Sequence, residues 1–198
     1  MLRTLTLAAL VLTATGCAEV ERLATDAAGD LAASRQTTYE TSQGQTLRFD
    51  LAARAFADRV VSYDPNGTRL ESGATNPEEA LGPPTDGATY VSLGGGGSVT
   101  LEFVDNTLVD GPGDDLAIFE IGPQVEAAFV AVSEDGRTFV EVGRISGSTA
   151  TLDLAGVGRP GAAYRFVRVT DDQDQGDRSG GTAGADIDAV GAINGERR

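Results

Sequence analysis

The chain has 198 residues, 30 acidic against 15 basic, with no histidine, no tryptophan and a single cysteine, for a formal net charge of −15. That charge opposes nucleic acid and anionic lipid as partners, and the missing histidine removes Ser-His-Asp and Cys-His centres and His-containing zinc sites. With 26 Gly, 4 Tyr and 7 Phe, the composition predicts short strands and many turns rather than a helical bundle.

Met1-Leu2-Arg3 is a short basic start, Leu5 to Ala14 an apolar run, and Ala14-Thr15-Gly16 places small residues before Cys17. This is the pattern of an export signal, and the apolar run is too short for a spanning helix. The ending resembles the lipobox of bacterial lipoproteins, with Ala14 where Leu is usual. The resemblance implies cleavage after residue 16, acylation of Cys17, and a lipid-anchored protein of the outer membrane or cell surface. Two or three acyl chains anchor stably where one does not.

Residues 17–45 are rich in Ala, Thr, Ser, Gln and acidic side chains and read as a tether. Leu47 to Leu51 alternates with period two, as a first strand does. The expected domain, 46–194, then gives nine short apolar or β-branched runs: 59–63, 90–93, 98–104, 116–121, 127–132, 139–142, 150–154, 164–169 and 187–193. Asp135-Gly136 between two of them is a hairpin signal. Nine strands with turn punctuation predict an all-β fold, a single β-sandwich of jelly-roll type, with 195–198 as a tail.

The order and spacing of Phe56 to Tyr63, Asn76 to Pro84, Val91 to Leu101 and Asp110 to Glu120 resemble a family of bacterial cell-surface proteins with one β-sandwich domain. Val132 to Phe139 followed by Tyr164 to Val169 is more distantly similar to discoidin-like, galactose-binding-like domains. That second likeness implies a module that binds carbohydrates or surfaces, often with a structural calcium, and implies no activity.

The candidate chemistry lies in carboxylates. Gly111-Pro112-Gly113 forces a tight turn that crowds Asp110, Asp114 and Asp115, and like charges gathered in this way favour a cation between them. Calcium suits such a loop, since it takes six to eight oxygens in flexible geometry. Glu120 sits in the run Leu-Ala-Ile-Phe-Glu-Ile, of the kind found in strands covered on both faces, and a buried Glu needs a partner: a cation or Arg168. Asp186 and Asp188 in an extended segment face the same way and pose the same question, with Arg165 or Arg168 as the ion-pair answer. The expected metal ligands are therefore Asp114, Asp115, Glu120, Asp186 and Asp188, around one structural calcium. Asp171 to Asp177 reads as a solvated loop, Gly94 to Gly97 as a turn, and Asn76 as a turn cap or a carbonyl ligand.

An enzyme would have to rest on paired carboxylates such as Asp114 and Glu120, in the manner of a glycosidase. The absence of Trp leaves little to stack a sugar in a cleft. The expectation is a non-enzymatic, lipid-anchored adhesion or carbohydrate-binding module whose partner is a cell-surface glycan or an envelope protein. The alternative is a structural component of the envelope without a small ligand.

Overall fold

The computed structural model describes residues 36–41, 44–121, 126–176 and 179–198. The export signal, Cys17 and most of the expected tether lie outside them. Among the described residues, the unit formed by Gln36–Arg198 carries fourteen strands in chain order: β1 Thr37–Glu40, β2 Thr46–Phe49, β3 Arg59–Asp64, β4 Val91–Ser92, β5 Ser98–Glu102, β6 Asn106–Val109, β7 Leu116–Glu120, β8 Ala127–Ser133, β9 Val140–Ser146, β10 Thr149–Leu152, β11 Ala163–Tyr164, β12 Phe166–Asp171, β13 Asp186–Ala192 and β14 Gly195–Arg197. All their pairings are antiparallel.

A five-stranded sheet, β3-β5-β12-β8-β9, faces a four-stranded one, β10-β7-β13-β4. Alternation on each strand builds the layer between them: Val99 and Leu101, Val130 and Val132, and Val167 and Val169 come from the first sheet, and Leu116, Ile118, Ile187 and Val190 from the second. The fold is the expected all-β sandwich. Fully burying each such side chain contributes roughly 1.5–3 kcal/mol.

The strand β7 is covered on both faces. Leu116 and Ile118 point into the sandwich, whereas Ala117 and Phe119 point outward under a second cluster built from Leu47, Phe49 and Phe56. The β1-β2 hairpin supplies that cover, with Tyr39 edge-on to Phe49, Phe56 and Phe119 at 5.6–5.8 Å. The continuous apolar run of β7 thus has a third layer as its cause. Gly191 on the neighbouring strand makes room for it, because a Cβ there would lie 2.8 Å from Phe49 and Phe56.

Two boundaries differ from the sequence expectation. Thr37–Glu40, inside the expected tether, pairs with β2, and Gly195–Arg197, the expected tail, pairs with β6. Both are short and polar on one face, so neither shows an apolar run. The β6 strand is a further addition to the nine expected. The Asp135-Gly136 signal marks a seven-residue connection, since Val132 pairs with Val140. There the Asp135 carboxylate accepts from the amides of Arg137 and Thr138, both at 2.8 Å.

Candidate functional site

The five expected metal ligands divide between the two ends of β7. Asp115 immediately precedes that strand and Glu120 ends it, so at about 3.3 Å per residue they stand roughly 16 Å apart. Calcium–oxygen distances near 2.4 Å do not span that gap. Asp186 and Asp188 run antiparallel at the Glu120 end, where Ile187 pairs with Glu120 and Ala192 with Leu116. One ion therefore cannot hold all five. The same geometry separates Asp114 and Glu120 by roughly 20 Å along the strand, beyond the ~5–9.5 Å of a glycosidase pair.

At the turn end, Asp115 is fully buried and its carboxylate is well supplied with donors. Oδ1 accepts from Gly111 N at 2.8 Å and Asn194 Nδ2 at 2.7 Å, and Oδ2 from Leu154 N at 2.7 Å. Asp115 is the internal clasp of the glycine turn, tying it to the chain after β10 and after β13. Asp114 is exposed and accepts from the Thr151 hydroxyl. Among the described residues, Asp110, Asp115 and Asp153 form the acidic trio whose oxygens lie within 4.8 Å of one another. Asp153 was not among the expected ligands, because it lies on the partner strand's exit loop.

Asp188 is a clasp of the same kind. It sits at a β-bulge in β13, the register shifting between Ile187 and Ala189. Its oxygens accept from Thr85 N at 3.0 Å, Thr85 Oγ1 at 2.8 Å and Gly87 N at 3.2 Å. Those donors occupy the lone pairs a metal would need, so Asp188 anchors the loop after Pro84. The bulge also breaks the period-two alternation from which Asp186 and Asp188 were expected to share a face.

Glu120 is the opposite case. Alternation places it on the sandwich-facing side with Leu116 and Ile118; it is 1% exposed, and neither carboxylate oxygen has a hydrogen-bond partner. Burial, then the charges of Asp186 and Glu126, push its carboxyl up to about 8. The nearby amides of Asp186 and Glu126 oppose the rise without forming hydrogen bonds to it. Asp186 accepts from the Ser92 hydroxyl, and its carboxyl is raised to about 6 by burial, with Glu71 adding to the rise.

The arginines expected as alternatives go elsewhere. Arg165 and Arg59 clamp the fully buried Glu102, a trio that no sequence spacing announces because its members come from β3, β5 and the residue before β12. Arg168 stacks on Phe139 at 3.8 Å and donates to Thr100 Oγ1.

The loops that meet at the Glu120 end are more ordered than the acidic sequence suggests. Asp171 and Asp172 are buried: Asp171 accepts from Gly96 N at 2.8 Å and Ala185 N at 2.9 Å, and Asp172 pairs with Arg144 at 2.7 Å. This corrects the solvated-loop reading for those two residues. Gly94 to Gly97 is a turn, as expected, and a Cβ at Gly97 would overlap the carbonyl of Leu93. Asn76 caps the 3-10 turn Pro77–Ala80, accepting from Glu78 N at 3.3 Å.

Beside these loops lies a cleft of about 410 Å3, lined by Asn66, Gly96, Phe129, Thr170 and the chain from Asp171 to Asp174. Phe129 points away from the core, between the inward Ala128 and Val130, and is 39% exposed. A second cleft of about 320 Å3 lies on the hairpin side, between Tyr39, Glu40, Asp86, Phe119 and Thr149. Its aromatic rings are occupied by one another.

No family model matches the chain, and no curated protein does. Solved structures do. The C-terminal domain of a chitobiase from Bacteroides fragilis has 12% identity and a TM-score of 0.48, covering 75% of this chain and 98% of that one. The module CBM32-1 from a family 31 glycoside hydrolase of Clostridium perfringens has 12% identity and a TM-score of 0.46, covering 72% and 99%. A family 35 carbohydrate binding module from an environmental isolate has 10% identity and a TM-score of 0.36, covering 72% and 96%.

Proposed function

We propose that this chain is a carbohydrate-binding module, exported and held at the membrane through an acylated Cys17, and that it works by adhesion rather than catalysis. The observation that carries the reading is the loop-end cleft, where the exposed Phe129 ring is set among amide and carboxylate groups. An aromatic face takes the C–H face of a sugar ring, and flanking polar groups take its hydroxyls. The frame is preorganised: Asp171 pins the Gly96 turn, Asp172 is paired with Arg144, and Asn66 donates to Gly95 O at 3.0 Å. Rigid framing lowers the ordering cost of binding. A structural calcium belongs to this reading as a stabiliser of the fold, not as part of the sugar contact.

The test is a glycan array with the purified protein in calcium, followed by titration of any hit against Phe129→Ala. Binding that falls at least tenfold in the variant, with an unchanged melting temperature, supports the reading; a blank array transfers it to a structural role in the envelope. The anchor is tested separately. Mass spectrometry of the mature N-terminus should find acylated Cys17, and Cys17→Ser should release the protein from membranes.

A further inference from the structure

We propose that the outer face of the five-stranded sheet carries a carboxylate-binding site centred on Arg168, and that the glycan this module takes is an acidic one, built from sugars that bear a carboxylate. This builds on the carbohydrate reading and names the class of glycan within it.

Register puts the residues on one face. In β12, Val167 and Val169 point into the core, so Arg168 and Thr170 point outward. Thr170 pairs with the exposed Phe129 of β8, and Arg168 pairs with Ala131 of the same strand. Phe129 and Arg168 are thus diagonal neighbours on the outer surface, with Cα atoms roughly 7–8 Å apart. A sugar lying on the Phe129 ring brings its own carboxylate, or that of the next sugar, over Arg168.

Arg168 is held in place but not neutralised. Its guanidinium sits over the Phe139 ring, 3.8 Å from the centroid, and its Nε donates to Thr100 Oγ1 at 3.1 Å. Stacking covers one face of the planar group and leaves its N–H edge open. Among the described residues, no carboxylate lies within salt-bridge reach of Arg168, and its two terminal nitrogens have no acceptor. A guanidinium already fixed in this way loses little further freedom when a ligand arrives.

The surrounding charge has the sign such a ligand needs. Glu102, diagonal to Arg168 across β5, is buried and held by both Arg59 and Arg165. Three arginines therefore face one acid on this patch, in a chain whose net charge is −15. In the adjoining cleft Asp171 accepts two amides and Asp172 is paired with Arg144, so those charges are met. The exposed Glu141, opposite Ala131 on β9, stands two strand spacings from Arg168, roughly 9–10 Å, and bounds the site on that side. The forked edge of an arginine matches a planar carboxylate with two parallel hydrogen bonds. The overall negative charge opposes a densely charged chain such as a polysulfate, so a glycan with carboxylates spaced along it is the better fit.

The test is a glycan array probed with the full chain, in which each uronic- or sialic-acid glycan is paired with its carboxyl-reduced, neutral counterpart. The pair giving the strongest signal is then titrated by calorimetry. Wild type should bind the acidic member about tenfold or more tightly than the neutral one, the effect of one charge-assisted contact. Arg168→Gln should bind the two alike, at the affinity of wild type for the neutral form, whereas Phe129→Ala should weaken both by the same factor. Arg168→Lys keeps the charge and the stem but not the fork, and most of the preference should go with it; it decides the matter if the glutamine variant melts far below wild type. Equal binding of the two members by wild type, or a preference that survives both Arg168 substitutions, overturns the carboxylate site and leaves the carbohydrate reading standing. An array blank for acidic and neutral glycans alike overturns both.

Discussion

Asp115 and Glu120 bracket the same five-residue strand, and both carboxylates are shut away from water. At one end three N–H groups converge on the acid; at the other none reaches it. Burial alone therefore does not say what an acidic side chain is for, and the donor count does. An acid that accepts several amides is a structural clasp whose charge is already met. A buried acid with no donors, beside other acids, has its charge unmet and its carboxyl raised.

The largest expected effect breaks the clasp. Asp115→Ala leaves Leu154 N unpaired in a buried setting and Gly111 N in a half-buried one, at about 1–3 kcal/mol for each unsatisfied group, while Asn194 Nδ2 loses one of its three acceptors. The loss should be about 3–5 kcal/mol in urea denaturation, and the same with calcium or EDTA. A calcium-dependent loss would show that the turn holds an ion.

A smaller effect is carried by pH. In EDTA, the Glu120 carboxyl lies near 8 in the folded protein against 4.5 for the ordinary group. Its folded value is raised, so the protonated acid is the form the fold prefers. Stability from this group is complete below about pH 4.5 and is lost as pH rises through 8, at up to ~1.4 kcal/mol per pH unit. Glu120→Gln should flatten that fall and be the more stable protein at pH 8. Asp186, raised to about 6 by burial, contributes in the same direction over a lower range. Equal pH slopes in wild type and variant would remove Glu120 from the account. The smallest effect is that of Phe129→Ala, whose ring is 39% exposed; its cost in stability should stay within about 1 kcal/mol.

The contrast also explains what could be read in the sequence. The sandwich was legible because Leu116 to Glu120, Ala127 to Ser133 and Asp186 to Ala192 carry period-two or continuous apolar patterns bounded by turn residues. The doubly covered β7 was legible from its unbroken apolar run. Strands β1 and β14 were not, since β1 is held by pairing with β2 and by Tyr39 against the distant Phe119, and β14 by pairing with the distant β6. The acidic positions were legible as residues with something to explain, Glu120 above all. Their grouping was not. Which end of a strand an acid occupies, and whether amides converge on it, is set by register and by one bulge at Asp188. The Glu102 clamp escaped notice for the same reason, being assembled from β3, β5 and the residue before β12. Phe129 offered the clearest missed signal, an aromatic residue on the outward phase of an otherwise alternating strand.

The most direct measurement is a carbon-13 NMR titration of the glutamate carboxyls in EDTA, with the Glu120 signal identified by its loss in Glu120→Gln. The account predicts a midpoint near 8. A midpoint near the ordinary 4.5 in EDTA would contradict it, because it would mean that the Glu120 carboxylate already has donors or a counter-charge in the protein itself.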